Sequence, residues 1–368
     1  MNYTTMRRGV AELPLHYGSA PKWLFNRMIR LARAIAEIIL GEFGPDEFLI
    51  RLSDPVWFQS FGCVLGFDWH SSGLTTTVCG ALKEGLKELA SEYGLFIAGG
   101  KGRTSRKTPE EILFWADKLG FSPEPLVYAS KLTAKVDSCA LQDGYQIYHH
   151  TFLGTKDGKW AVIQQGMNTQ TRWARRYHWL SLELKDYVVE PHKAIISQKK
   201  GTALNLIARS AAKAREVSTV VACDNPIKTI GTLAKIKQIK LPERHFITVQ
   251  DINPDRLKKI LNETYETQPA SFQELLSISG VGPKTIRALA LISELIYGAK
   301  PSYNDPVSYS FAHGGKDGHP YPINRAEYDR SIMILETAIR QARLGLNEKI
   351  SLLRKLSETT NTLVVTKL

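Results

Sequence analysis

The stretch from Leu275 to Leu289 constrains this chain more than any other segment. Apolar residues at helical spacing flank Ser279-Gly280-Val281-Gly282-Pro283-Lys284-Thr285 on both sides, which predicts a short helix, a tight bend and a second helix. Glycines at 280 and 282 let the backbone turn sharply and approach another surface. Pro283 suits the first turn of the second helix. The pattern is that of a helix-hairpin-helix. In such a module, the free N–H groups of a helix start hold a nucleic-acid phosphate without reading sequence. Gly280, Gly282, Lys284, Thr285 and Arg287 are the candidate contacts. The alternative is an ordinary helical turn closed by glycine.

Charge agrees with a polyanionic partner. The 368 residues carry 48 Lys and Arg against 36 Asp and Glu, a net +12. An excess of that size attracts nucleic acid over long range. No apolar run reaches the roughly 18 residues that span a bilayer, and the N-terminus lacks the apolar core of a secretory signal. The four cysteines are scattered, with no C-x-x-C pair, which disfavours a zinc ribbon or a disulfide scaffold. A cytoplasmic protein without membrane contact is expected.

Periodicity predicts helices over Trp23–Leu40, after Ser53-Asp54-Pro55, over Thr75–Tyr93, from Thr108, over Gly201–Val217, from about Pro254, and over Ile332–Leu352 as one helix or two. Ile230–Ile239 has mixed character. Thr108 reads as a cap, with Glu111 completing a capping box. Leu95–Ala98 reads as a buried strand, and Tyr145–Phe152 with Lys159–Gln165 as a hairpin turned by Lys156-Asp157-Gly158. The expected fold is an α/β (α+β) N-terminal domain over 1–200, a connector over 201–260, a mostly helical helix-hairpin-helix domain over 261–350, and a tail over 351–368.

Several segments concentrate chemistry. Asp68 and His70 could ligate a metal or share a proton, or the loop could simply cap the next helix. Gly99–Lys107 is a glycine-rich cationic loop after a strand; it lacks the Walker A order. Its Lys101, Arg103, Arg106 and Lys107 are candidate phosphate contacts. Asp137, Asp143, His149 and His150 gather at the start of the hairpin. Asp137, Asp143 and His149 are the candidate ligands for Mg²⁺ or Mn²⁺, ions that activate water for phosphodiester hydrolysis. Adjacent strand residues face opposite ways, so only one histidine can join Asp143. Gln164 and Gln165 imply a polar site or a wet sheet face. Arg172, Arg175 and Arg176 alternate with Trp173, Tyr177 and Trp179, a pattern that binds single strands by ion pairing and stacking, although tryptophans also anchor cores. Glu183-Leu184-Lys185 is a nominal E-x-K of metal nucleases. Lys284 followed by Asp305 is reminiscent of glycosylases that cleave abasic sites through a Schiff base. The 311–322 loop, with His313, Lys316, Asp317 and His319, is either a site or a plain loop.

The stretches 66–73 (GFDWHSSG), 98–112 (AGGKGRTSRKTPEEI), 141–150 (LQDGYQIYHH), 160–168 (WAVIQQGMN) and 310–322 (SFAHGGKDGHPYP) resemble the DUF763 family. That resemblance implies a prokaryotic, thermophilic, intracellular protein and assigns no catalytic residues. The residues themselves lead to three expectations. The first is a metal-dependent DNA-repair nuclease acting on structured or single-stranded DNA. The second is a DNA glycosylase or abasic-site lyase using Lys284 and Asp305. The third is a non-catalytic DNA-binding adaptor that recruits a helicase or another repair protein.

Overall fold

The structure, a computed structural model, describes residues 20–67, 72–197, 200–238, 251–310, 325–342 and 344–364. Asp68, His70 and the 311–322 loop lie outside them. In chain order the elements are α1 (Lys22–Ser53), α2 (Pro55–Val64), α3 (Gly73–Leu86), α4 (Ala90–Tyr93), β1 (Leu95–Lys101), α5 (Arg103–Arg106), α6 (Thr108–Leu119) and α7 (Glu124–Lys135). After a π-helical turn at Val136–Ala140 come β2 (Leu141–Gln142), β3 (Gln146–Thr155), β4 (Trp160–Asn168), β5 (Trp173–Leu180), β6 (Ala194–Ser197) and β7 (Thr202–Asn205). The remainder is α8 (Ala212–Cys223), α9 (Pro226–Gln238), α10 (Pro254–Thr267), α11 (Phe272–Ser277), α12 (Pro283–Tyr297), β8 (Ser302–Asn304), β9 (Tyr309–Ser310), α13 (Arg325–Gln341) and α14 (Leu346–Val364).

Six strands form the central sheet in the order β1-β3-β4-β5-β6-β9, antiparallel except for the parallel β6–β9 edge; β2, β7 and β8 form a small second sheet. The β3–β4 hairpin forms as the sequence predicts, with Gly158 (φ 83°) in its turn. Helices cover both faces of the sheet. On one face Phe152, Val162, Tyr177, Trp179 and Ile195 pack with apolar residues of α6 to α12. On the other Leu95, Ile97, Leu153, Ala161, Ile163 and Leu180 pack with α1 to α3 and with Ile334, Leu335, Ala338, Ile339, Leu352 and Leu356 of α13 and α14. Each core therefore draws on residues from both sides of position 200, and the second closes with helices from the far end of the chain. The layering satisfies the need of each sheet face to bury its apolar side.

Local chemistry explains the boundaries. Asp54 caps α2 by accepting from the N–H groups of Val56 and Trp57, both at 2.8 Å, ahead of a first-turn proline. The predicted helix over 23–40 runs on to Ser53, with a break at Gly44 (φ 81°) before Pro45. Thr75–Tyr93 is two helices rather than one, interrupted at 87–89. Thr108 does not cap: its hydroxyl donates to the Ser105 carbonyl, while Glu111 accepts from the Gly99 N–H and pairs with Lys83. The helix expected over 201–217 is corrected at its start, where Thr202–Asn205 forms β7 between β2 and β8. Cross-strand pairing there overrides a helical pattern. The arginine- and aromatic-rich run Trp173–Leu180 is a strand, β5, in the interior of the sheet. Among the described residues no helix is long and apolar enough to cross a membrane.

Candidate functional site

One row of paired residues crosses all six strands: Lys101, His149, Gln165, Arg176, Ile196 and Tyr309. It marks the sheet end where β1 runs out into the cationic loop, β4 and β5 join at the 169–172 turn, and β6 leaves towards β7. Segments far apart in sequence therefore meet at one rim. Gly99 is held there by crowding: its φ is 86°, and a Cβ would stand 2.2 Å from the His150 carbonyl oxygen. Only glycine tolerates both conditions. Lys101, Arg103, Arg106, Lys107 and Arg172 are exposed along this rim and form no ion pair among the described residues. Arg172 sits in a turn with φ 58°, whose first residue, Asn168, accepts from the N–H groups of Gln170 and Thr171.

Beneath the rim, β5 sends adjacent arginines to opposite faces. Arg175 is buried between two carboxylates, bonding Asp143 at 2.8 Å and Asp305 at 3.0 and 2.7 Å, and its guanidinium lies 4.4 Å from the Tyr145 ring centre. Burial opposes its charge, but Asp143, Tyr177 and Asp305 outweigh that and raise its pKa. Burial pushes the Asp143 carboxyl up, opposed by Arg175 and by the Tyr177 hydroxyl that donates to it at 2.6 Å. Arg176 has no carboxylate partner among the described residues. It donates to Gln59 (2.7 Å) and Thr75 (3.3 Å) and faces the Phe58 ring. Burial pushes its pKa down to about 9, which still leaves a cation at neutral pH.

The face of Arg175 also carries a relay. Ser130 bonds the His150 Nε2 (2.9 Å), His150 Nδ1 bonds the Gln164 Oε1 (3.0 Å), and Gln164 donates to Asp137 (2.6 Å). Asp137, fully buried in the π-helical turn, also accepts from Trp179 (2.9 Å) and contacts His192 Nε2 (2.5 Å). On the Arg176 face, Thr75 donates to Gln165 (2.5 Å), which donates to the Ser72 carbonyl (2.9 Å), and His149 bonds Thr151 (2.9 Å). Burial, with His150 and Lys101 nearby, pushes the His149 pKa down to about 3, so its imidazole is neutral.

This arrangement corrects several expectations. Asp137, Asp143 and His149 do not converge as metal ligands: Asp137 is saturated by Gln164, Trp179 and His192, Asp143 by Arg175 and Tyr177, and His149 faces the other side of the sheet. No group of three His, Cys, Asp or Glu side chains among the described residues is placed to hold a metal ion. His150 is likewise locked between Ser130 and Gln164. Arg175 and Arg176 are core residues, not surface phosphate contacts, because both are buried in the sheet interior. Tyr177 and Trp179 are buried too, leaving only Trp173 partly open at the rim. Glu183 pairs with Lys193 beyond the far end of β5. Lys284 bonds the Asp251 carbonyl oxygen (2.8 Å) whereas Asp305 is buried on Arg175, so the lysine–aspartate pair of a lyase is not assembled. His192 was not anticipated; a single histidine after Glu190-Pro191 carries no periodic signal.

The bend before α12 adjoins the rim. Gln142, next to Asp143, donates to the Pro283 carbonyl at 2.8 Å. Gly280 takes φ 81° and is exposed, while Thr285 is buried. Lys284 and Arg287 both pair with Asp251, at 3.1 and 2.7 Å.

A family model described as "Protein of unknown function (DUF763)" matches residues 9–323. The chain belongs to the DUF763 family. The DUF763 match takes in the whole rim and ends before α13 and α14, which nevertheless complete the second core. No curated protein and no solved structure matches the chain.

Proposed function

We propose that this protein binds the phosphate backbone of nucleic acid, DNA foremost, across the rim of its central sheet. The observation that carries the reading is the convergence of Lys101, Arg103, Arg106, Lys107 and Arg172, all exposed and free of ion pairs among the described residues. Unneutralised cations in a cluster release counterions when phosphates replace them. The bend at 278–282 supports the same reading, as a helix-hairpin-helix whose α12 start would take a neighbouring phosphate. Trp173, partly open between Arg172 and the sheet, offers one stacking surface.

Fluorescence anisotropy with labelled single-stranded and duplex DNA over a KCl series tests the proposal. Binding should weaken with salt, and K101A/R103A/R106A/K107A should flatten the slope by roughly 0.9 per lost duplex contact. Equal binding by this variant and the wild type, or no binding by either, would overturn it. Adding Mn²⁺ or EDTA to the same substrates tests for cleavage. Metal-dependent cutting would restore the nuclease expectation with ligands other than the triad of Asp137, Asp143 and His149.

A further inference from the structure

Lys135 ends α7 and sends its ammonium into the bend between α11 and α12. Its Nζ donates to the Val281 carbonyl and, at 3.3 Å, to the Ile278 carbonyl. These are the only partners that its side chain has among the described residues, and no carboxylate is one of them. The two carbonyls, three residues apart, are turned to one point by Gly280, whose φ of 81° reverses the chain between them. Val281 is buried, which fixes the bend from within. Converging backbone carbonyl oxygens replace the hydration shell of a monovalent cation such as K⁺. Here the same point is filled from inside the protein. Burial lowers the Lys135 pKa, with the nearby Cys139 sulfur opposing the shift.

We infer that Lys135 is a tethered substitute for a monovalent metal ion, a positioning residue whose ammonium holds the Ile278–Gly282 bend in shape without K⁺ or Na⁺. An ammonium has three protons; two are spent on the carbonyls, and the third is left for an anion at the bend. That last role rests on the backbone-binding reading above.

The test removes the charge and offers the ion back. K135M and K135Q, purified in KCl, are exchanged into equal concentrations of KCl or tetramethylammonium chloride, whose cation is too large for the site. The wild type should melt alike in both salts. The variants should melt at least about 2 °C higher in KCl, because K⁺ satisfies the Val281 carbonyl, which otherwise loses its partner, while the Ile278 carbonyl keeps the Val281 N–H at 3.3 Å. Variants that melt alike in both salts, or a wild type that itself requires K⁺, would overturn the inference. Should neither variant fold, amide exchange of the wild type at Gly280–Thr285 decides. Raising the pH past the Lys135 pKa should remove protection in tetramethylammonium and spare it in K⁺; identical loss in both salts refutes the idea. In the DNA assay K135M should bind roughly tenfold more weakly in tetramethylammonium and recover in K⁺. A wild type that binds no DNA defeats the proposed function while the melting comparison still judges Lys135.

Discussion

Arg175 and Asp305 stand 130 residues apart in the chain and meet through two hydrogen bonds of 3.0 and 2.7 Å. The second aspartate oxygen also accepts from the Gly201 N–H (2.7 Å), so a single carboxylate ties β5, the start of β7 and the segment after β8.

Because the pair is buried, breaking it leaves a bare charge. R175M would strand both Asp143 and Asp305, and we expect a loss of about 3–5 kcal/mol in urea denaturation. A loss below about 1 kcal/mol would show that the hub is dispensable.

Glycine at position 99 is required twice over, by its φ of 86° and by the His150 carbonyl. G99A should destabilise the fold by roughly 3 kcal/mol and loosen the β1–β3 pairing beside the cationic loop, visible as faster amide exchange in β1. Wild-type stability in G99A would contradict the crowding.

Asp251 occupies the two cations of the α12 start as a phosphate would. D251A frees them, and DNA affinity should rise, about tenfold if two phosphate contacts are gained. Unchanged affinity across the salt series would mean that α12 does not face the nucleic acid.

Acid should unfold the protein through its buried histidines. In the folded state His149 is depressed from 6.5 to about 3, and burial also lowers His150 and His178. The unfolded chain therefore binds more protons between those values, and stability falls as pH drops from about 6.5 towards 3. Each such histidine contributes up to about 1.4 kcal/mol per pH unit. H149Q should flatten the dependence in denaturant melts from pH 7 to 4; an unchanged curve would count against a neutral buried His149.

Much of the fold was legible because its signals are local. The cap at Asp54-Pro55, the Gly158 turn and the helical spacing of α1 and α12 each depend on neighbours in sequence. The β5 strand and β7 were not legible, since Arg175, Arg176 and Asn205 owe their positions to partners more than a hundred or nearly a hundred residues away. The rim cations Lys101 to Lys107 could be picked out for the same local reason: a charged loop after a strand has nowhere to hide its charges. The supposed metal ligands failed as a set because proximity in sequence says nothing about which face of a sheet a residue takes. His149 and His150 part company at the first step, and Asp137 turns towards His192 instead of Asp143.

The two arginines on opposite faces of β5 have one more consequence. A slip of the strand by one residue exchanges every side chain between the faces. In one direction it would put Ala174 in the place of Arg175, take the guanidinium away from Asp143 and Asp305, and push Tyr177 into the helical layer meant for His178. Many strands resist such errors only by losing apolar contact. Here a β5 misthreaded in that direction also strips two buried carboxylates of their guanidinium, so charge as well as apolar contact guards its register.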